Sequence, residues 1–386
     1  MKIAFLTRKN PYDKRTWSGC FYSMFSELSQ ENKVKWVRPG KRSIISKVIL
    51  TVLSYWHRFT IKKSLNIINN FYAKSTVPSL KNIISTKKFD IVFAAAAPEL
   101  IAYLELEVPI VYFLDATFIQ LSKDYPAYSN LPDWNHRQAM QIEFNALHKS
   151  NHIIVSSEWA KNSVVHDYNI DPEKVSIIGL GANMIKIPDI NELKLLVAKR
   201  IIEKEPIKLL FIGKNWKRKG GEYALNAFVS LNNMDIKTTL TIIGTVPPEL
   251  PEDYGQLLQI VPSLDKNDEE DFLQLYKHFE DAHFFILPTR GDCTPIVFCE
   301  AAAFGLPVIT TDTGGVKDVV KDGVSGIVLS MDASGTEYAE AIKNLYLETE
   351  HYKKMAYQSR ERYDNIINWK TWLNNTMKVL ENINGR

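Results

Sequence analysis

Three cysteines, Cys20, Cys293 and Cys299, are all that the 386 residues contain; the number is odd and there is no Cys-x-x-Cys spacing. That pattern points away from both a disulfide framework and a zinc site. No Asp-x-Asp occurs that would hold Mg²⁺ or Mn²⁺ against phosphates, and no metal ligand set is assigned. The GxGxxG fingerprint of a dinucleotide fold is missing as well, which disfavours an oxidoreductase. No uncharged apolar run reaches the ~18–20 residues of a membrane span. The chain enters a strand directly from its first residues, without a signal peptide; a cytoplasmic protein fits. The net charge of +3 argues against a general nucleic-acid partner. Negative charge is absent from one place in particular: between Asn32 and Phe89 there is no Asp or Glu, while Lys and Arg are plentiful.

What is present reads as α/β. The length favours two domains, and short apolar runs alternate with helical stretches throughout. In the first half, Lys2–Thr7 is a strand, followed by a loop containing Ser18-Gly19 and a helix over Cys20–Gln30. Strand, Gly-bearing loop and helix in that order approach phosphates in doubly wound folds, although a plain turn fits equally. Strands are expected at Val34–Val37, Asp90–Ala95, Val108–Leu114, Ile153–Val155 and Val175–Ile178, with helices at Pro132–Lys149 and from Glu158 behind a Ser157 cap. Asp115 closes its strand at the carboxyl end, where open α/β sheets bind ligands or where an Asp simply caps the next helix. The basic stretch 41–74 places Ile44, Ile45, Val48, Ile49, Val52, Leu53 and Trp56 at helical spacing with cationic borders. It is either an ordinary packed helix or a contact for an anionic membrane surface, which would make the protein peripheral at the inner face of the cell membrane.

The second half resumes after an irregular stretch, 181–206, taken as the hinge. Ile207–Ile212 is a strand, and Lys214, Lys217, Arg218 and Lys219 crowd the loop that leaves it, just before Gly220-Gly221. Glycines allow close backbone approach and the cations suit an anion. Further strands at Thr239–Ile243 and Leu258–Val261 lead to a helix over Asp268–Phe279. The stretch His283–Ser330 then reads strand, loop, helix, strand, loop, short helix and strand. Its loop Thr289–Thr294 runs into Pro295, suited to a first helical turn, so free amides at the helix start face the loop. Asp292 stands before that helix and Glu300 about one and a half turns inside it. A basic clamp, a phosphate-binding helix start and an acid for vicinal hydroxyls together read as a nucleoside diphosphate site.

These segments resemble the retaining nucleotide-sugar glycosyltransferases of the GT-B fold, family four, glycosyl transferases group 1. The family's Glu, seven residues, Glu pattern followed by Gly-x-Pro-Val-Ile is matched by Asp292-CTPIVFC-Glu300-AAAFGLPVIT, with Asp in place of the first Glu. TGGVKDVVKDGVSG, IGKNWKRKGG, SSEWAKNSV, KVSIIGLGAN and WSGCFYSM match other family segments in order. The resemblance implies two Rossmann-like, doubly wound domains facing a central cleft. They would span 1–180 on the acceptor side and 207–365 on the donor side, with linker 181–206 and C-terminal helices, 366–386, crossing back to the first domain. It implies that Arg218 and Lys219 stabilise the leaving diphosphate, with Lys214 standing at the family's Arg position. It further implies that Glu300 holds ribose, that Asp292 approaches the transferred sugar and that Gly19 touches the diphosphate. Cys293, Thr294 and Pro295 would line the phosphate or sugar, and Asp115 falls near the family's strand-end His.

The expected reaction moves a sugar from a GDP-, UDP- or ADP-sugar to an acceptor hydroxyl on a glycan or lipid-linked acceptor, in bacterial surface glycan or glycolipid synthesis. Retention is expected, without metal or cofactor. The alternatives are a nucleotide-sugar epimerase or hydrolase, and a non-catalytic binding subunit of the same fold. For the 41–74 stretch, flotation with anionic vesicles at low salt separates the two readings. A membrane contact predicts binding that is lost when the Lys and Arg of 41–63 are neutralised; a packed helix predicts none.

Overall fold

The computed structural model describes residues 1–40, 68–203, 205–251 and 255–385. Most of the basic stretch 41–74, namely 41–67, lies outside the described residues. The chain divides into two compact units, Met1–Ile178 with Trp372–Arg386, and Gly179–Thr371.

The first unit runs β1 (Lys2–Leu6), α1 (Cys20–Glu31), β2 (Lys33–Val37), α2 (Asn70–Lys87), β3 (Ile91–Ala95), α3 (Pro98–Ile101), β4 (Ile110–Leu114), α4 (Phe118–Asp124), α5 (Pro126–Ser129), α6 (Asp133–Lys149), β5 (His152–Val155), α7 (Glu158–His166) and β6 (Val175–Ile177). Its strands form one parallel six-stranded sheet in the order β2-β1-β3-β4-β5-β6. Strands covered on both faces must be apolar at every position, and β3 (IVFAA) and β4 (IVYFL) are buried throughout. At the edge, β2 (KVKWV) alternates instead, with lysines outward, which blunts the open edge.

The second unit runs α8 (Ile190–Ile202), β7 (Ile207–Ile212), α9 (Gly221–Asn233), β8 (Thr238–Ile243), β9 (Leu258–Val261), α10 (Glu269–Asp281), β10 (Phe284–Leu287), α11 (Ile296–Ala303), β11 (Val308–Thr311), α12 (Val316–Val319), β12 (Gly326–Leu329), α13 (Gly335–Leu347) and α14 (Thr349–Asn365). Its parallel sheet also has six strands, ordered β12-β11-β10-β7-β8-β9. The strands whose carboxyl ends carry the basic loop and the Asp292 loop, β7 and β10, are therefore neighbours, with Phe284 opposite Leu209. The last helix, α15 (Trp369–Asn384), reaches the first unit, where the fully buried Trp372 meets Phe93 edge-on at 6.0 Å.

The structure corrects one expectation. The stretch 181–206 is not irregular throughout, because α8 occupies much of it and belongs to the second unit. A capping box starts this helix: Asp189 accepts from the amides of Asn191 and Glu192 while Glu192 accepts from the Asp189 amide. Leu193 and Val197 pack on Ala356, and buried Arg200 donates to the carbonyls of Phe304, Gly305, Phe279 and Glu280. Those bonds make α8 part of the second unit's framework. Residues 366–371 likewise group with the second unit, so the return to the first begins at Trp372.

One buried acid supports the turn after β4. Glu143 on α6 accepts hydrogen bonds from the Phe118 amide at the start of α4 and from the Tyr168 hydroxyl, the latter at 2.5 Å. Burial raises its carboxyl from 4.5 to about 7, against the lowering effect of those two donors. The folded protein therefore binds this proton more tightly than the unfolded chain does. Its stabilising effect is full below pH 4.5 and is lost as pH rises through about 7. A displacement of that size amounts to on the order of 3 kcal/mol. Thermal melts of Glu143→Gln and the parent protein from pH 5 to 8 should show the variant gaining on the parent as pH rises. A constant difference across that range contradicts the assignment.

Candidate active site

In the second unit, the β7–α9 turn and the β10–α11 loop are bound to each other by their backbones. The Arg290 amide donates to the Arg218 carbonyl at 2.7 Å, and the Thr289 hydroxyl donates to the same carbonyl at 3.2 Å. Gly220 makes this approach possible: it has φ +71°, and a Cβ there would lie 1.8 Å from the Pro288 carbonyl oxygen. A third loop closes from β11. Gly314 has φ +54°, a Cβ on it would meet the Asp292 carbonyl oxygen at 1.9 Å, and the Gly315 amide donates to that oxygen at 3.2 Å. Three strand-end loops thus converge on one residue, Asp292.

Its carboxylate is 9 % exposed and fully engaged. Lys219 Nζ lies 3.0 Å from Oδ1 and 2.7 Å from Oδ2, Arg218 Nη1 is 3.2 Å from Oδ1, and the Thr289 hydroxyl donates to Oδ2 at 2.9 Å. Burial alone would raise the Asp292 carboxyl; Lys219 and Arg218, with the hydrogen bonds from Lys219 and Thr289, overcome it and hold the group below its ordinary value. Two cations against one carboxylate leave one net positive charge at the mouth of α11. Cys293 and Thr294 follow in the loop, both buried, and Pro295 is the N-cap residue of α11. The first amides of α11 have no partner within the helix and lend their positive end to the same place. Lys214 lies apart and exposed, so the guanidinium brought to Asp292 is that of Arg218.

Glu300, on α11, is 1 % exposed. Lys266 Nζ contacts its Oε1 at 2.5 Å, and Oε2 has no hydrogen-bond partner among the described residues. Burial raises the Glu300 carboxyl; Lys266 and the Asn183 amide oppose this, and the net position is above the ordinary value. Lys266 was not anticipated from the sequence. Its signal was Leu264-Asp265-Lys266 at the carboxyl end of β9, a turn pinned by the Asp265 amide donating to Asp271 at 2.7 Å. Cys299 is buried and bonds the Leu180 carbonyl at 3.6 Å. Burial pushes its thiol well up, leaving it inert as a nucleophile. Among the described residues, no three His, Cys, Asp or Glu side chains converge as metal ligands.

In the first unit, the loop between β1 and α1 places three successive residues in the left-handed region: Trp17 (φ 47°), Ser18 (φ 54°) and Gly19 (φ 93°). Such conformations are costly for non-glycine residues and persist where the surroundings hold them. Trp17 is held by rings, 4.7 Å from Phe21 and 5.9 Å from Phe113, and its indole N–H donates to Asp115 Oδ2 at 3.2 Å. Gly19 and Asp115 are therefore joined through Trp17.

Comparison with known proteins bears on the family and the fold. The family model for glycosyl transferases group 1 matches residues 195–362, and that for glycosyltransferase family 4 matches residues 33–184. The chain belongs to the group 1 glycosyltransferases. Solved structures share its fold at low sequence identity. WaaG, a glycosyltransferase involved in lipopolysaccharide biosynthesis, superposes with a TM-score of 0.64 at 16 % identity, covering 100 % of both chains. HepE of Anabaena in complex with UDP-glucose gives 0.64 at 15 % identity over 99 % of this chain and 100 % of that one. The fold is thus that of the GT-B glycosyltransferases. A D-inositol 3-phosphate glycosyltransferase of Frankia alni is 23 % identical over 208 residues, 51 % of this chain and 50 % of that protein. The chain spans about half the length of the curated relatives it matches.

The Lys266–Glu300 pair makes a direct prediction. Removing one partner of a buried ion pair strands the other charge, at a typical cost of about 3–5 kcal/mol. Lys266→Met should lower the melting temperature strongly, and adding Glu300→Gln should restore most of it. A Lys266→Met protein as stable as the parent contradicts the pairing.

Proposed function

We propose that this chain transfers a glycosyl group from a nucleoside diphosphate sugar to an acceptor hydroxyl, with retention of anomeric configuration and without a metal or other cofactor. The observation that carries the reading is the pairing of Lys219 and Arg218 on buried Asp292 at the start of α11. When the glycosidic bond breaks, the anomeric carbon becomes cationic and the diphosphate departs as an anion. A fixed, net positive cluster beside a helix start stabilises that anion with little reorganisation. Lys219 has three ammonium protons and meets the two Asp292 oxygens, which leaves a donor for a phosphoryl oxygen. Asp292, with both oxygens engaged, is assigned to holding the cations in place instead of touching the sugar. The open Oε2 of Glu300 accepts from the ribose hydroxyls. Thr294 and the first amides of α11 are assigned to the phosphates.

The acceptor hydroxyl attacks from the side of the departing diphosphate. The anomeric C–O bond to phosphate breaks, the new C–O bond forms, and the hydroxyl proton passes to a diphosphate oxygen. Asp115, fixed by Trp17, orients the acceptor. Among GDP-, UDP- and ADP-sugars, the neighbour that holds UDP-glucose makes a UDP-sugar the first donor to try. A role in surface glycan or glycolipid synthesis is favoured by the lipopolysaccharide function stated for WaaG. A cytoplasmic site of action suits a nucleotide-sugar donor. Among the described residues no helix is long and apolar enough to cross a membrane.

Transfer assays with labelled donor test the reading. Lys219→Ala and Glu300→Ala should each lower turnover at least a hundredfold while far-ultraviolet circular dichroism stays unchanged, and EDTA should leave the rate of the parent intact. Product NMR should show the donor's own anomeric configuration. Full activity in either variant, loss on chelation, an inverted product, or release of free sugar without acceptor would each contradict it.

A further inference from the structure

The first unit holds a second buried charge pair, which the reaction described above does not use. Register places it: β1 and β3 are adjacent, with Leu6 opposite Ala94, so the chain leaves both strands side by side at their carboxyl ends. Two residues past β1 comes Arg8; four past β3, after the left-handed Ala96 (φ 44°), comes Glu99 on α3. Arg8 Nε lies 3.2 Å from Glu99 Oε1, with side-chain exposures of 28 % and 0 %. Neither Glu99 oxygen receives a hydrogen bond from another described residue. Burial lifts the Glu99 carboxyl above its usual range, opposed by Arg8, whose own guanidinium is stabilised by that charge.

As a structural brace this pair is poor. A fully buried carboxylate without hydrogen bonds costs several kcal/mol, and apolar replacements of such pairs are often neutral or stabilising. What it does provide is a guanidinium fixed by one edge. Arg8 Nε approaches Glu99 Oε1 at 3.2 Å as an ion pair without a directed hydrogen bond, so the carboxylate holds the guanidinium by charge and takes up none of its N–H donors. A planar fork held from behind matches the two oxygens of a carboxylate or phosphate. Its position is the rim where parallel sheets bind ligands, the same rim on which β4 carries Asp115.

The geometry points to an oxyanion subsite for the acceptor: Arg8, braced by Glu99, binds a carboxylate or phosphate carried by the acceptor sugar. This rests on the glycosyltransferase reading and adds to it the chemical class of the acceptor, an acidic or phosphorylated glycan. Asp115 then deals with the hydroxyl and Arg8 with the charge.

Calorimetric titration of the whole protein with glucuronate, glucose 6-phosphate and methyl glucoside tests this. At least one charged sugar should bind ten times more tightly than the neutral one, and the stronger of the two tells carboxylate from phosphate. Arg8→Lys retains a charge over Glu99 and so keeps the fold, but loses the fork; it should cut the preference several-fold. The double variant Arg8→Met with Glu99→Gln should erase the preference while melting close to the parent. Lys219→Ala should leave it unchanged. Equal binding of all three sugars by the parent overturns the proposal. So does a preference that survives in both Arg8 variants, or one that vanishes with Lys219→Ala, which would place the anion at the donor site. The underlying transfer reading fails by a different sign, namely no binding of GDP, UDP or ADP in titrations without these sugars.

Discussion

Everything in the second unit that bears on chemistry hangs on the carboxylate of Asp292. A carboxylate with so little exposure would be expelled or protonated unless charge and hydrogen bonds met it. Lys219, Arg218 and Thr289 meet it from two strand-end loops. The glycine at 220 lets those loops approach, and the glycine at 314 lets a third press on the Asp292 carbonyl. The cluster therefore exists only if three turns adopt their observed shapes together. The reward for that constraint is a positive charge whose position is set before any ligand arrives.

Glu300 follows the same logic with the opposite sign. It lies past the first turn of α11, buried, and Lys266 balances only one of its oxygens. An acceptor atom left without a donor in a buried place is expensive, and such atoms persist where a ligand completes them. In the first unit, Glu99 repeats the pattern beneath Arg8. Each of these acids is a buried carboxylate fixed by a lysine or arginine at the carboxyl end of a parallel sheet. The fold supplies the rim, and the charges give it something to recognise.

Much of this could be read in the sequence, for identifiable reasons. Buried parallel strands are continuous apolar runs, so IVYFL and FFIL announce themselves. The cations at 214–219 and the acids at 292 and 300 were visible as charges in places where loops meet strands. What the sequence does not state is which charges engage each other. It named Asp292 for the sugar, whereas folding commits both oxygens of that side chain to Lys219, Arg218 and Thr289. The pairings of Lys266, Trp17 and Arg8 are not legible in the sequence because their partners, Glu300, Asp115 and Glu99, are distant along the chain and only the fold brings them near. The helix α8 was missed for a different reason. Its capping box, Asp189 with Glu192, is a local signal that was there to be seen.

The proposed reaction depends on recognition of a diphosphate by Lys219 on Asp292. Its most direct test compares the affinities of a nucleoside diphosphate and the matching monophosphate, using whichever of guanine, uracil and adenine binds best, for the parent and for Lys219→Met. The parent should prefer the diphosphate at least tenfold, and Lys219→Met should bind both alike, with the monophosphate affinity unchanged. An undiminished diphosphate preference in Lys219→Met would contradict it.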